Sequence, residues 1–281
     1  MRTRLRLMLA LTSLVVIATT AVPAGATHVD LAKAEVDFGS CREVVATKTV
    51  RADAVTNFLP RDVVAVVADK GAKLVISALR CRWLETSYAD HTRATKNPII
   101  VQVGVAIERD KLPLPPIVEE ADVEKLYSLY TVTNSRALAR AARSAAHARV
   151  YVTENIRFFM GKSESCGDPV RTVVSIRDER VPSFTMRGTT NAPGPKCDVQ
   201  KDGPTTWWTV KHDIASAFTY LAHRQTVVES DSQLEVRAGR NSRLRKIVGT
   251  AHFKTDSVRT GFIKVNDVSP DAVIVPHRRG V

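Results

Sequence analysis

The residues able to do chemistry are few and scattered. Seven histidines stand at positions 28, 91, 147, 212, 223, 252 and 277. None has another at i+2 or i+4, so no locally built metal site is expected. Trp207-Trp208 followed by Lys211-His212-Asp213 gathers aromatics, an amine and a base within seven residues, a set able to line a small-molecule pocket. On a strand Trp207 and Trp208 face opposite sides, so at most one enters a given cavity. Trp208 and Lys211 are the ligand-binding candidates of this stretch. Lys264, within Gly-Phe-Ile-Lys-Val, has the apolar neighbours that lower an amine pKa for imine chemistry, although an outward-facing lysine on an alternating strand fits as well.

Motifs for other chemistries are missing. There is no G-x-S-x-G, no G-x-x-x-x-G-K-[ST], no G-x-G-x-x-G after a strand, no H-E-x-x-H and no EF-hand loop, so nucleotide chemistry and zinc proteolysis have no support and no cofactor is expected. The charge of +12 admits a polyanionic partner. Lys and Arg are nevertheless interleaved with acids, as in Glu119-Glu120-Ala121-Asp122-Val123-Glu124-Lys125, which argues against nucleic acid. An anionic cell-envelope polymer or lipid headgroup is the more fitting polyanion.

The first 26 residues separate from the rest. Arg2, Arg4 and Arg6 precede the apolar run Leu7 to Ile17, and Ala24-Gly25-Ala26 follows. This is the pattern of a secretory leader cleaved near Ala26, and the run is too short to span a bilayer. No other segment is long and apolar enough to cross a membrane. A secreted or extracytoplasmic product makes disulfides the expected state of Cys41, Cys81, Cys166 and Cys197. Three pairings are open; Cys41 with Cys81 and Cys166 with Cys197 keep both loops local.

With 281 residues, 13 Gly and 13 Pro, and no repeat or long polar linker, the remainder reads as one domain over residues 41–268, with an N-terminal extension over 27–40 and a C-terminal tail over 269–281. Alternating or β-branched stretches predict strands over 43–50, 63–67, 73–83, 99–107, 126–132, 150–159, 170–177, 206–210, 226–234 and 250–265. Short helices are expected over 52–59, ending at Pro60, over 135–149 behind Asn134-Ser135, and over 242–248, stopped by Gly249. Short Gly, Asp, Asn and Pro connections favour antiparallel pairing. The expected class is α+β, mainly antiparallel β, as a barrel or large curved sheet with a few short helices. In the 135–149 helix, Arg136, Arg140, Arg143 and His147 share one face, either a solvated surface or an anion-binding edge.

Several segments together resemble the acetoacetate decarboxylase-like family. They are Thr47-Lys48-Thr49-Val50 running through Ala52 to Phe58-Leu59-Pro60, then Leu129-Tyr130-Thr131-Val132-Thr133-Asn134-Ser135-Arg136-Ala137-Leu138, then Leu234-Glu235-Val236 with the 242–248 helix and the closing strands. The resemblance implies that family's barrel and central cavity. It also implies a Schiff-base lysine pair after the helix, where this chain has His147-Ala148-Arg149. An arginine stays protonated and forms no imine, so the resemblance implies a binding cavity without Schiff-base catalysis. Arg149 would hold a small apolar or carboxylate-bearing molecule by its carboxylate. The alternative is a lyase or hydratase on a keto acid, with His147 as acid/base and Arg149 as anchor.

Overall fold

The computed structural model describes residues 33–61, 63–68, 71–108, 124–194, 196–202, 204–211, 214–221, 223–240, 242–263 and 270–278. The leader lies outside them. In chain order the elements are β1 (Ala34–Val50), α1 (Ala52–Thr56), β2 (Val67–Ala68), β3 (Gly71–Tyr88), β4 (His91–Lys96), β5 (Ile99–Ala106), β6 (Glu124–Thr133), α2 (Arg136–Ala146), β7 (Val150–Val152), β8 (Ile156–Met160) and β9 (Pro169–Ile176). They continue with β10 (Phe184–Asn191), β11 (Val199–Asp202), β12 (Thr205–Lys211), β13 (Ile214–Tyr220), β14 (His223–Ser230), β15 (Glu235–Ala238), α3 (Arg243–Val248), β16 (His252–Lys254), β17 (Ser257–Ile263) and β18 (Ala272–Arg278). The chain from Leu31 on forms one compact unit, and no described helix is long and apolar enough to cross a membrane.

Strands β1, β18, β13, β12, β6, β5 and β3 pair in that order, and β3 pairs back to β1, closing a ring of seven. A ring built only of antiparallel pairs needs an even number of strands, so seven require at least one parallel contact. That contact is β6 with β12, where Leu126 faces Trp207. Parallel neighbours cannot be joined by a hairpin, and the long crossover between them carries α2, which packs on the barrel with Ala34, Val36, Leu84, Ile100 and Ile274. The α+β, mainly antiparallel class is the one observed.

The strand β1 belongs to two neighbours on one edge. Ala34–Val36 pair with β18, whereas Cys41–Thr47 pair with β17. Between them Ser40 takes a positive φ of 48°, and the Phe38 N–H donates to Asp271 Oδ2 at 2.5 Å. Just beyond the switch, Cys41 and Cys81 face each other in the β1–β3 register with Cα atoms 3.9 Å apart and form a disulfide. The second disulfide joins Cys166 to Cys197. Both pairings are the local ones.

A second antiparallel sheet, β16-β15-β10-β9-β8, covers the outer barrel face. Val44, Leu74, Ile76, Val101 and Val103 pack there with Phe158, Met160, Val174, Met186 and Val236. Being covered outside and filled inside, β5 is buried at every position, as a doubly covered strand must be. The edge strand β8 is held by arginines: Arg80 donates to Phe158 O at 3.1 Å, and Arg42 to Met160 O at 3.2 Å and Gly161 O at 3.1 Å.

Boundaries differ from expectation at both ends. Residues 34–40, read as an extension, form the start of β1. Ala272–Arg278, read as tail, is a barrel strand; Pro276 interrupts its apolar run, and the described pairing with β1 reaches only Ile274. The stretch 63–67 yields only an Ala65–Ile107 bridge and the two-residue β2. Strands β4, β10, β11, β13 and β15 were unexpected: β4, β11 and β15 are largely polar, and in β10 and β13 Gly, Ala, Ser and Thr dilute the apolar residues.

Candidate ligand-binding cleft

The helix α2 opens on Ser135, whose Oγ accepts the Leu138 N–H at 3.2 Å, and closes on His147 in the left-handed region, φ 51° and ψ 18°. The Ala148 N–H reaches back to Ala142 O at 3.1 Å, and the His147 N–H to Arg143 O at 3.0 Å. The second of these bonds is that of a left-handed C-cap, with histidine where glycine is usual. The chain then extends into β7, which lies parallel to β6. Ala148 and Val150 turn inward, while His147 and Arg149 are exposed. Arg143 Nη2 donates to Val150 O at 2.7 Å and fixes the corner. The Arg149 guanidinium sits 5.0 Å from the Tyr151 ring centroid, within cation–π range.

His147 and Arg149 line one cleft of about 750 Å³. Its other walls come from Asn57 and Phe58 after α1, from Tyr127 to Tyr130 of β6, from Thr209 and Val210 of β12, and from Arg143 and Arg243. Three arginines and a histidine stand in it, with no aspartate or glutamate among the described residues of its lining, which makes its potential attractive to anions. Arg243 spends one donor on Leu129 O at 2.9 Å. Leu129 is the extra residue of a bulge where β6 slips against β5, between the pairs Val103–Tyr130 and Gly104–Ser128. The bulge turns Ser128 and Thr131 into the barrel and leaves Leu129 and Tyr130 outside. The Tyr130 hydroxyl is buried without a hydrogen-bond partner among the described residues, and burial pushes its ionisation far above the ordinary tyrosine range.

The cleft leads to the barrel interior but not into a chamber. An inner void of about 20 Å³ shares Ser128, Ala148, Arg149 and Thr209 with the cleft, and a second of about 30 Å³ lies beyond Trp207. Each is room for about one water. Trp207 fills the space between them, lying so close to Gly104 that a Cβ there would stand 2.8 Å from its ring. Polar side chains meet inside: Tyr220 donates to Gln102 Oε1 at 2.8 Å, and Ser77 to Glu43 Oε1 at 3.1 Å. Burial, then the Glu43 charge, raises the Tyr220 pKa well above the usual value. The Ser216 hydroxyl donates to Ala146 O and seats the end of α2 against β13.

The other expected site residues lie elsewhere. Trp208 is fully buried in the core outside the barrel and lines neither cleft nor void; of the pair, Trp207 is the one facing inward. Lys211 closes β12, and its side chain lies outside the described residues, as do His212, Asp213 and Lys264. Lys125 is buried in β6 but is not among the residues lining the cleft or the voids. Sequence reading missed Arg243 and the β6 wall. One signal was available for Arg243: a cation in the first turn of α3, the end of a helix that favours anions.

No protein-family model matches the sequence, and no curated protein does. Among solved structures, the chain is similar to acetoacetate decarboxylase from Legionella pneumophila subsp. pneumophila strain Philadelphia 1, with TM-score 0.43 and 9% identity over 94% of this chain and 99% of that one. It is also similar to an acetoacetate decarboxylase-like enzyme from Sphingomonas wittichii RW1, with TM-score 0.42 and 11% identity over 92% and 100%. A third is the enduracididine biosynthesis enzyme MppR complexed with pyruvate, with TM-score 0.43 and 11% identity over 85% and 90%. The solved structures this chain is similar to thus include an acetoacetate decarboxylase and an acetoacetate decarboxylase-like enzyme.

Proposed function

We propose that this is an exported binding protein whose cleft at the barrel mouth takes a small carboxylate-bearing molecule without Schiff-base chemistry. The observation that carries the reading is the convergence of Arg143, Arg149, Arg243 and His147 in one cleft of about 750 Å³ whose described lining holds no acid, a volume within the usual range for small-molecule sites. Arg143 and Arg243 are held in place by backbone carbonyls. Arg149 lies over Tyr151 and keeps its fork of donors for a carboxylate. Tyr127, Phe58 and Val210 supply the apolar remainder of the wall. Among the described residues no lysine lines the cleft, which favours binding without an imine. Export is supported by the two disulfides, which persist in oxidising compartments.

The test is binding of a panel of small carboxylic and keto acids, followed by calorimetry. Arg149→Ala should weaken the best binder by about tenfold or more, the magnitude of a lost charged hydrogen bond, with the unfolding midpoint unchanged. Equal affinity in the variant would remove Arg149 from the site. Borohydride treatment with keto acids should leave no adduct, and an adduct on any lysine would restore the Schiff-base reading. A second reading, a lyase or hydratase, is favoured by His147 lining the same cleft as Arg149. It requires turnover of a keto acid that His147→Gln abolishes in kcat while Arg149→Ala raises KM.

A further inference from the structure

The arginine row of α2 is divided. Arg143 and His147 belong to the cleft, whereas Arg136 and Arg140 line a separate groove against the β3–β4 hairpin. Strand alternation and the register pairs Thr86–Arg93 and Tyr88–His91 put these four residues on the hairpin face that meets α2. Thr95 and the helix-capping Ser135 hydroxyls hold the two walls together at 2.8 Å. Two adjoining hollows, of about 640 and 300 Å³, share Arg93, Ala137 and Arg140 and so form one groove. It runs beside α2 from Arg136 to Ser144, about 12 Å at the helical rise.

The groove is basic on both sides. His91, Arg93 and Lys96 stand on the hairpin wall and Arg136 and Arg140 on the helix wall. Against them, among the described residues of the lining, stands Glu154 alone, 3.8 Å from Arg136 and with both side chains largely exposed, a weak pairing. A second observation is independent of charge. Thr86, 3% exposed, lines the groove, and its Oγ1 is buried without a hydrogen-bond partner among the described residues. A buried hydroxyl left unpaired is costly and is offset when a ligand oxygen takes its hydrogen.

We propose that this groove binds a linear polyanion carrying phosphodiester groups. A phosphodiester points its two charged oxygens away from opposite sides of the chain, so guanidinium groups on facing walls can grip it together; a carboxylate presents both oxygens to one side. The hollow shape suits a chain rather than a planar bilayer, and among the described residues the lining offers only alanines and Tyr88 as apolar groups, with no large aliphatic side chain to enter an acyl layer. One aromatic gives no run of stacking platforms for single-stranded nucleic acid. The groove is independent of the cleft and of the small-molecule reading.

The probe is fluorescently labelled poly(glycerol phosphate), with binding read by anisotropy across a salt series. Wild type should bind, more weakly as salt rises. The Arg93→Ala/Arg140→Ala double variant should lose roughly tenfold or more, and Arg237→Ala on the second sheet should change nothing. Thr86→Val should also weaken binding while leaving the unbound fold at least as stable. The proposal fails if wild type does not bind, if the double variant binds equally, or if Arg237→Ala costs as much, which would reduce the effect to net charge. It fails equally if inorganic phosphate competes as well as the polymer at equal phosphate concentration. Tighter binding to phosphatidylglycerol vesicles or to single-stranded DNA would give the groove a different partner and overturn it.

Discussion

At Asp178 a single carboxylate holds a corner of the second sheet. It accepts from the Arg180 guanidinium at 3.0 Å, from the Arg180 backbone N–H at 3.0 Å and from the Thr153 hydroxyl at 2.8 Å. The Arg180 side chain first, then these other donors, keeps its ionisation well below the ordinary carboxylate range. A carboxyl depressed in the folded state contributes stability that is present above the unfolded value, about 3.9, and is lost as pH falls through the folded value. Stability measured by denaturant should therefore decline from just below pH 4 downward, and Asp178→Asn should flatten part of that decline; identical acid slopes in the two proteins would refute the assignment. His147 shows the same dependence of role on surroundings. Its left-handed φ is uncommon outside glycine, with His among the residues that tolerate it, and it is what brings Arg149 to the barrel mouth rather than continuing the helix.

At the scale of elements, α2 is the piece on which both sites depend. Its alanines Ala141, Ala142, Ala145 and Ala146 are buried and let the helix lie close to the barrel end, while its exposed face supplies one wall of the groove and part of the cleft. Ser135 does two things there: it caps the Leu138 N–H and hydrogen-bonds Thr95 of β4. Ser135→Ala should cost about 1–2 kcal/mol, the upper range for a lost cap, measured from the denaturation midpoint. It should also speed amide exchange in β4 more than in β9. Unchanged exchange in β4 would mean that the hairpin is held without this contact. The arginines at β8 work by a related principle, since Arg42 and Arg80 satisfy carbonyls on a strand that would otherwise present an open edge.

Over the whole molecule, the seven-strand ring and its cover sheet are stapled at two places of different character. Cys41 and Cys81 are buried inside the barrel wall, whereas Cys166 is exposed beside the second sheet. Mild reductant should open Cys166–Cys197 first with the fold retained, as read by mass after alkylation; simultaneous opening of both would contradict the burial difference. Replacing Cys41 and Cys81 with alanine should cost about 2–4 kcal/mol for loops of this length. The sequence by itself determined the strand-rich class, the three helices with the cap at Ser135 and the stop at Gly249, and the opposite facing of Trp207 and Trp208; for the cysteines it left three pairings open and favoured the local one. Those features rest on period, capping chemistry and spacing, all carried by neighbouring residues. His147 and Arg149 were singled out by the resemblance, at the place of that family's lysine pair, rather than by period or spacing. Only the tertiary structure decided that 272–278 is a barrel strand, that Trp208 belongs to the outer core, and that Arg243 joins Arg149 from 94 residues away. Ring closure sets these, because a strand with a proline or a helix with a misplaced cation is chosen by the partner across the register and leaves no periodic trace in its own segment.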